Sequence, residues 1–205
     1  MPSYSADVST PLARAAFVKL ARPRKNDKGQ DKYEINLLWL KGTDLSVLES
    51  AVLTAAKEEW GDKAVEMFKN GLIKNPFLDG DGPQAINKKT GERYEGFAGH
   101  RFIRCSANAE HKPKVYDRQV NLSVDPGLVY SGCYVYAVIN AFTWMNEQNG
   151  KGISFGVKMV QFAKDGERLG GEGGDPDPTQ HFKPQVDASV PDSAKSGTGA
   201  AGLFG

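Results

Sequence analysis

The chain has 205 residues, of which 40% are apolar, and its formal net charge at pH 7 is +1. This apolar content supports one hydrophobic core of ordinary size, and nothing in the composition requires a second. No apolar stretch approaches the roughly 18 residues that a membrane span needs, and the first residues lack a basic segment followed by an apolar run. We therefore expect neither a membrane protein nor a secreted one.

The chain has two cysteines, Cys105 and Cys133, and each lies in an apolar, strand-like stretch. Because a chain of this size can build a core without disulfides, we expect both to be buried and reduced, as is typical of the cytosol. The two cysteines and three histidines are scattered and form no zinc pattern. We expect no metal and no cofactor.

The net charge hides two segments of opposite sign. Residues 165–205 contain seven acidic and three basic residues, a net charge of −4, which leaves +5 on residues 1–164. The same segment has nine glycines and four prolines but few large apolar side chains. Such a composition cannot offset the entropy cost of folding. We therefore predict one domain over residues 1–164 and a disordered, acidic, Gly/Pro-rich C-terminal tail over residues 165–205, ending in an apolar Leu203-Phe204-Gly205 tip.

The first predicted elements form a β-hairpin. Residues 14–21 and 33–40 have the composition of strands, and the segment between them, Arg22 to Asp31, is polar and contains turn residues. This pattern predicts two strands joined by a long basic loop.

A helix is predicted after the hairpin. Apolar residues recur at helical spacing from Leu45 to Trp60, with Thr43 as the expected N-cap and Gly61 just past the end. A shorter helix over residues 63–69 is expected to follow and to stop at Asn70-Gly71.

The second half of the chain is predicted to be mainly β. Residues 75–99 are rich in turn-forming residues, and at most one short strand is predicted there. Strands are predicted for residues 100–107, 132–145 and 153–162. The last two are joined by residues 146–152, which suit a hairpin. Five principal strands with inserted helices predict a mainly β, α+β fold: a five-stranded, OB-fold-like antiparallel barrel. The usual helix of that fold follows the third strand, whereas here it follows the second.

The basic hairpin indicates a nucleic-acid-binding protein. Residues 14–32 contain seven basic residues and two acidic ones, which matches the whole positive charge of the domain. Binding of single strands without sequence choice needs such cations for the phosphates together with aromatic faces on which bases stack.

Aromatic residues occur on one predicted face of the strand that starts at Gly132. Alternation places Val135, Ala137 and Ile139 on a core face and Tyr134, Tyr136, Phe142 and Trp144 on the other. The second face suits base stacking, packing against a helix, or a dimer interface. Similarly, His100, Phe102 and Arg104 share one face of their strand, and Lys112, Lys114 and Tyr116 follow closely. For any one of these residues, an ordinary surface or packing role is the alternative.

Acidic residues suggest one enzymatic alternative. Asp79 and Asp81 resemble the start of a calcium loop, but the remaining ligands are missing, so a structural turn is favoured. With Asp117 they suggest the carboxylates of a magnesium-dependent nuclease or recombination enzyme. The sequence contains no phosphate-binding loop, nucleophile elbow or tight acidic cluster, so the leading prediction is a protein that is not an enzyme.

Several segments together resemble a phage single-stranded DNA-binding family that was long carried as a domain of unknown function. The segments are residues 17–23 and 32–38, Asp79-Gly-Asp-Gly, residues 106–108 and 112–117, Gly132-Cys-Tyr-Val-Tyr-Ala, Gly150-Lys-Gly-Ile-Ser-Phe-Gly-Val and Asp165-Gly-Glu-Arg-Leu-Gly-Gly. They span nearly all of residues 1–164, and their order and spacing carry the resemblance.

The resemblance implies an OB-fold, sequence-independent binding of single-stranded DNA in phage replication, recombination or repair, and the cytoplasm of the infected bacterium as location. It also implies that the acidic tail modulates DNA binding or recruits phage or host replication proteins, although the last acid here is Asp192. A homodimer through the aromatic face and a scaffold module stay open as alternatives. The predicted DNA-binding residues are Arg22, Arg24, Lys25, Lys28, Phe102, Arg104, Lys112, Lys114, Tyr116, Tyr134, Tyr136 and Lys158.

Overall fold

A computed structural model describes residues 1–26 and 29–170 of the chain. The described strands are β1 (Val8–Ser9), β2 (Ala13–Lys25), β3 (Asp31–Leu40), β4 (Leu78–Asp79), β5 (His100–Asn108), β6 (Lys114–Tyr116), β7 (Tyr134–Asn146) and β8 (Gly150–Lys164). The described helices are α1 (Ser46–Trp60) and α2 (Ala64–Lys69), with short 3₁₀ turns at Gly61–Lys63 and Pro83–Ala85. Neither α1 nor α2 has the length and apolar character needed to span a membrane.

The five long strands close into a ring. β2 pairs with β3, β3 with β5, β5 with β8, β8 with β7, and β7 again with β2. All of these pairings are antiparallel except that of β5 with β8, which is parallel. A small Greek-key barrel with this closure is an OB-fold, so the predicted fold class is confirmed.

The predicted hairpin is present, but its loop is shorter than expected. β2 continues to Lys25 and β3 begins at Asp31, so Arg22, Arg24 and Lys25 belong to a strand and not to the predicted loop. The pairing of β2 with β3 has register shifts between Ala16 and Lys19 and again between Lys19 and Arg24. These bulges bend β2 away from the barrel while the ladder continues. We call the described residues 21–26 and 29–31, which project beyond the ring, the hairpin arm.

Helix α1 lies between the second and third strands of the ring, as the chain order predicts. The predicted N-cap, Thr43, is wrong: the helix begins after Leu45, and Asp44 accepts a hydrogen bond from the Ser46 N–H at 2.9 Å. The aspartate is favoured because its carboxylate meets an otherwise unpaired amide in the first turn. Gly61 ends the helix with φ of 64°, a conformation that favours glycine.

The interior of the barrel is apolar and continuous with helix α1. Alternate residues of each strand point inward, among them Ile35 and Leu37 on β3, Ile103 on β5 and Val135 on β7. Cys105 and Cys133 are buried free thiols, and burial raises the pKa of each above its ordinary value. The predicted core face of β7 is therefore confirmed.

A second, smaller core lies on the outer side of the sheet. Its buried members are Ala16, Leu38, Ala85, Phe97 and Phe102. The segment of residues 78–99 folds over β3 and β5 and supplies Ala85 and Phe97, and β4 pairs with β5. The Phe97 and Phe102 rings meet edge to face with centroids 4.9 Å apart. This packing seals one half of the outer face of the sheet.

The Asp79-Gly-Asp-Gly segment is the turn that holds residues 78–99 in place. The Lys41 ammonium lies 2.7 Å from the Asp79 carboxylate and 2.8 Å from that of Asp81. Asp79 also accepts a hydrogen bond from the Asp81 N–H at 2.8 Å. A Cβ on Gly80 would overlap the carbonyl oxygen of Phe97, so only glycine fits there. These contacts of Asp79 and Asp81 agree with the structural role that the sequence favours for this turn over a calcium site.

Residues 165–170 pack against the barrel, and we call them the strap. The Leu169 N–H donates to the Ser131 carbonyl at 2.9 Å, and the Arg14 guanidinium donates to the Glu167 carbonyl at 3.0 Å. The first six residues of the predicted tail therefore contact the domain. Residues 171–205, including the Leu203-Phe204-Gly205 tip, lie outside the described residues, as do Asp27 and Lys28.

Replacing Phe102 with alanine tests the second core. Because Phe102 is fully buried, Phe102→Ala should lower the free energy of unfolding by about 3 to 5 kcal/mol. Urea denaturation followed by circular dichroism measures the change. Arg104→Ala, two residues along on the same face but exposed, is the matched control; it loses one hydrogen bond to the Gln84 carbonyl and should cost no more than about 1.5 kcal/mol. Equal losses in the two variants would contradict the second core.

Replacing Lys41 with methionine tests the acidic turn. The Lys41 ammonium is the main cause that lowers the pKa of both Asp79 and Asp81, so Lys41→Met should raise the two values toward the ordinary carboxyl range. A lowered folded-state pKa stabilises the protein above the unfolded value, near pH 4, and that contribution disappears as the pH falls through the folded value. As the pH is lowered, the free energy of unfolding of Lys41→Met should therefore fall less than that of the wild type.

Carbon-13 NMR titration of the side-chain carboxyls measures these values. Asp117 is an internal control, since hydrogen bonds from Asn121 lower its pKa and Lys41 takes no part. Unchanged titration of Asp79 and Asp81 in Lys41→Met would contradict the assigned cause.

Candidate nucleic-acid interface

The predicted DNA-binding residues are divided between two outer faces of the barrel. The β3–β5 face is the outer side of β2, β3 and β5, and it carries Arg104 and leads into the hairpin arm with Arg22, Arg24 and Lys25. The β7–β8 face is the outer side of β6, β7 and β8, where residues paired in register project to the same side. Its predicted residues are Lys114, Tyr116, Tyr134, Tyr136 and Lys158. Lys28 lies outside the described residues.

The open half of the β3–β5 face is polar and positively charged. Beyond the second core, Asn36 is paired with Arg104 and Glu34 with Ser106 across the two strands. The exposed Arg104 guanidinium donates to the Gln84 carbonyl at 3.1 Å and lies 5.8 Å from the Phe102 ring centroid. It is therefore held above the sealed core with its remaining N–H groups open to a ligand.

The hairpin arm extends this face with unpaired cations. Arg22, Arg24 and Lys25 are exposed, and none of the three, nor Lys32 at the base of the arm, forms an ion pair with a carboxylate that the structure describes. Lys19, nearer the barrel, is paired with Glu34 at 2.6 Å. The arm therefore offers charges that a phosphate chain can bind without first breaking an ion pair.

An aromatic pair lies at the edge of the β3–β5 face, and the sequence analysis missed it. Phe17 is 41% exposed, and its ring meets that of Tyr94 edge to face at a centroid distance of 4.7 Å. Phe97 lies behind both rings, 5.7 Å from each. The pair joins β2 to the segment that covers the second core. It lies on the same face as Arg104, since Ala16, directly before Phe17, is paired with Asn36, and Asn36 with Arg104.

Phe17 also has an unusual backbone. Its φ of 49° lies in the left-handed region, which costs a residue with a side chain roughly 1 to 2 kcal/mol. The residue is at the first bulge of β2, between Ala16 and Lys19. Left-handed residues other than glycine concentrate at functional sites, where the surrounding structure holds them. The bulge turns the Phe17 ring outward. Regular alternation of the strand would instead point this ring into the barrel.

The predicted role of Phe102 in base stacking is wrong. The side chain has no exposed surface, because residues 78–99 cover that part of the sheet. Strand alternation correctly places Phe102 on the same face as Arg104. It does not reveal that half of this face is covered by another segment.

The β7–β8 face carries aromatics whose neighbouring cations are already engaged. Tyr136 is 44% exposed, whereas the half-buried Tyr134 ring lies 4.5 Å from the Lys164 ammonium. Lys158 is paired with Asp7 at 2.6 Å, and Arg118 with Asp165 at 3.4 Å. Two cations of this face are therefore compensated within the protein, whereas Lys114 and Lys164 form no ion pair with a carboxylate that the structure describes. Phe142, by contrast, packs against Tyr4 of the N-terminal segment.

Lys112 and Lys114 line a groove at one end of the barrel. The groove has a volume of about 270 Å³, and its walls include Leu20, Leu122 and Val129. Both lysines are exposed, and Tyr116 is half-buried on β6. β5 and β6 pair with successive stretches of one edge of β8, β5 at residues 155–156 and β6 at residues 159–161, while β7 occupies the other edge, so the groove lies past the end of β5.

The carboxylates considered for a nuclease do not come together. Lys41 lies between Asp79 and Asp81, and the Asp117 carboxylate instead accepts hydrogen bonds from Gln119 and Asn121 of its own loop. In the part of the chain that the structure describes, no group of three metal-ligating side chains forms.

Known phage proteins resemble this chain in sequence. The model of the family described as the ssDNA-binding protein of Enterobacter phage Enc34 matches residues 6–191. Putative protein p50 of Acyrthosiphon pisum secondary endosymbiont phage 1 is 34% identical over 168 residues, which are 78% of this chain and 84% of that protein.

Solved structures share the fold. The single-stranded DNA-binding protein from bacteriophage Enc34, in complex with ssDNA, superposes with a TM-score of 0.58 at 22% identity, over 80% of this chain and 89% of that one. The single-stranded DNA-binding protein gp2.5 encoded by bacteriophage T7 gives 0.55 at 13% identity, over 91% of this chain and 100% of that one. Because the family model spans most of the sequence, this chain belongs to the family of the Enterobacter phage Enc34 ssDNA-binding protein.

Proposed function

We propose that this protein binds single-stranded DNA without sequence preference and is not an enzyme. The observation that carries the proposal is the Phe17–Tyr94 pair, of which Phe17 is exposed, on the same face as Arg104 and the arm cations that form no ion pair with a described carboxylate. Membership of a phage ssDNA-binding family and the shared fold with a relative solved in complex with ssDNA support it.

Phosphates and bases have separate partners in this proposal. The phosphate chain runs along Arg22, Arg24 and Lys25 and past Arg104, while bases stack on the Phe17–Tyr94 pair. Every base offers a π-face, so stacking of this kind does not select sequence and contributes about 1 to 3 kcal/mol per base. A protein that binds only unpaired bases shifts duplex equilibria toward single strands by mass action, without consuming nucleotide.

The β3–β5 face is a better binding surface than the β7–β8 face for two reasons. The strands at its centre are the second and third of the barrel, the surface on which OB-folds bind oligonucleotides. Two cations of the β7–β8 face, Lys158 and Arg118, are also paired with Asp7 and Asp165, and DNA would have to displace these carboxylates. Tyr134, Tyr136 and Lys158 therefore lie outside the proposed stacking site.

The biological setting follows from the family. We infer a role in phage DNA replication, recombination or repair in the cytoplasm of the infected host. The acidic segment 171–205, with five acidic and two basic residues, is the part we expect to modulate DNA binding and to meet phage or host replication proteins.

Removing the ring of Phe17 tests the proposed site. Phe17→Ala should weaken binding of a fluorescently labelled oligo-dT by about 5- to 100-fold, because one stacking surface is lost. Tyr136→Ala is the matched control, an aromatic of similar exposure on the β7–β8 face, and should change affinity less than about twofold.

Fluorescence anisotropy across a salt series measures both variants and the wild type. The wild type should prefer oligo-dT over a duplex of the same length, and log Kd should rise linearly with log salt. A larger loss in Tyr136→Ala than in Phe17→Ala would move the site to the β7–β8 face, and no binding by the wild type at low salt would refute the proposed function.

Removal of residues 171–205 tests whether the acidic segment screens the binding face. The segment carries a net charge of −3, so its loss should tighten binding to single strands at low salt and reduce discrimination against duplex. The cut belongs after Gly170 because the strap packs against the domain. A neutralised full-length variant, with the five acids replaced by Asn or Gln, is the control for chain length. Equal affinity of truncated, neutralised and native protein would contradict screening.

A further inference from the structure

We propose that Leu169 of the strap and Ser131 are positioning residues for the Phe17–Tyr94 pair, so that the strap is part of the DNA-binding site. The inference rests on the proposed function. Neither residue has to contact DNA. Each holds one ring of the pair in place through the backbone next to it.

The strap is fitted closely to the domain along its length. The Tyr130 hydroxyl lies 3.0 Å from the Asp165 carboxylate and accepts a hydrogen bond from the Gly166 N–H at 3.1 Å. A Cβ on Gly132 would overlap the Glu167 carbonyl, and a Cβ on Gly166 would overlap the Gly132 carbonyl. Two glycines are thus required for the backbones to approach this closely. Such a fit indicates one defined path for the strap.

Leu169 reaches the backbone beside Tyr94. Its side chain covers Gly96, where a Cβ would lie 2.7 Å from the Leu169 Cδ2 atom, and it packs against the second core. The next residue, Gly170, donates its N–H to the Glu95 carboxylate at 2.9 Å. The strap therefore contacts both residues that follow Tyr94 and restricts where that ring can lie.

Ser131 connects the strap to the bulge that contains Phe17. Its carbonyl accepts the Leu169 N–H at 2.9 Å, and its hydroxyl oxygen accepts the Val18 N–H at 3.1 Å. The bulge interrupts the regular ladder, and the serine hydroxyl supplies a partner for the amide directly after Phe17. One residue thus stabilises the left-handed conformation of Phe17 and anchors Leu169.

The contacts of Leu169 and Ser131 predict that the affinity for DNA depends on the strap. With Leu169 in place, the rings of Phe17 and Tyr94 are fixed before DNA arrives, so little ordering entropy opposes stacking. Without it, the rings lose their support while the cations of the arm are untouched.

A double-mutant cycle in the full-length chain tests the inference. Leu169→Ala should weaken oligo-dT binding by roughly 3- to 10-fold, with an unchanged slope of log Kd against log salt because no phosphate contact is lost. In a Tyr94→Ala background the same substitution should cost less than about twofold, since the ring that Leu169 positions is absent. Anisotropy titrations of the four proteins give the coupling directly.

Two further variants separate positioning from stability. Ser131→Ala removes one hydroxyl and should weaken binding in the wild-type background but not in the Phe17→Ala background, whereas Ser131→Thr, which keeps the hydroxyl, should bind like the wild type. Leu53→Ala, at an exposed leucine of helix α1, is the matched control and should leave affinity within twofold. Equal losses for Leu169→Ala with and without Tyr94, or unchanged affinity in both Leu169→Ala and Ser131→Ala, would overturn the inference. Failure of the wild type to bind oligo-dT would instead refute the proposed function.

Discussion

The bulge in β2 is the constraint on which the rest of the structure depends. β2 has to pair with β7 at Ala13 and Arg14 to close the ring and then leave the barrel to build the arm with β3. A straight strand cannot do both, because regular pairing would keep it on the barrel surface. The register shift after Ala16 resolves the conflict, at the cost of a left-handed Phe17. That shift turns an aromatic ring outward, frees the Val18 amide for Ser131 and sends the basic residues of the arm past the edge of the barrel.

The outer face of the sheet is divided by the segment of residues 78–99. One half, around Leu38 and Phe102, becomes a second core, and the other half, around Asn36 and Arg104, stays polar and open. The boundary between the halves is where Tyr94 meets Phe17. An aromatic pair at such a boundary has one side supported by packed side chains and one side exposed. This arrangement gives a rigid stacking surface at little entropic cost.

Strand alternation predicted the inward residues of the barrel well, because burial on one face is a local property of the pleat. Val135, Ile139 and Cys105 are buried as expected. Alternation assigned Phe102 to the correct side but not its burial, since the covering segment is remote in sequence. Phe17 was missed because a bulge breaks the period of two within an apolar run. The strap was merged with residues 171–205 because composition averages over a window, and the six residues that pack against the domain resemble the rest in glycine and charge.

Charge pairing is one reason for placing the proposed DNA site on the β3–β5 face. Exposed ion pairs such as Lys158 with Asp7 contribute only about 0 to 1 kcal/mol each to stability, so breaking one is not in itself a large cost. The entropy gained when phosphates release counterions, however, depends on protein cations that replace those counterions. A lysine that keeps its carboxylate partner contributes no net charge to this exchange. In the proposed site, Arg22, Arg24 and Lys25 form no ion pair with a described carboxylate and contribute fully. The proposal therefore puts phosphate attraction and base stacking on the β3–β5 face, whereas on the β7–β8 face two of the cations are paired with carboxylates.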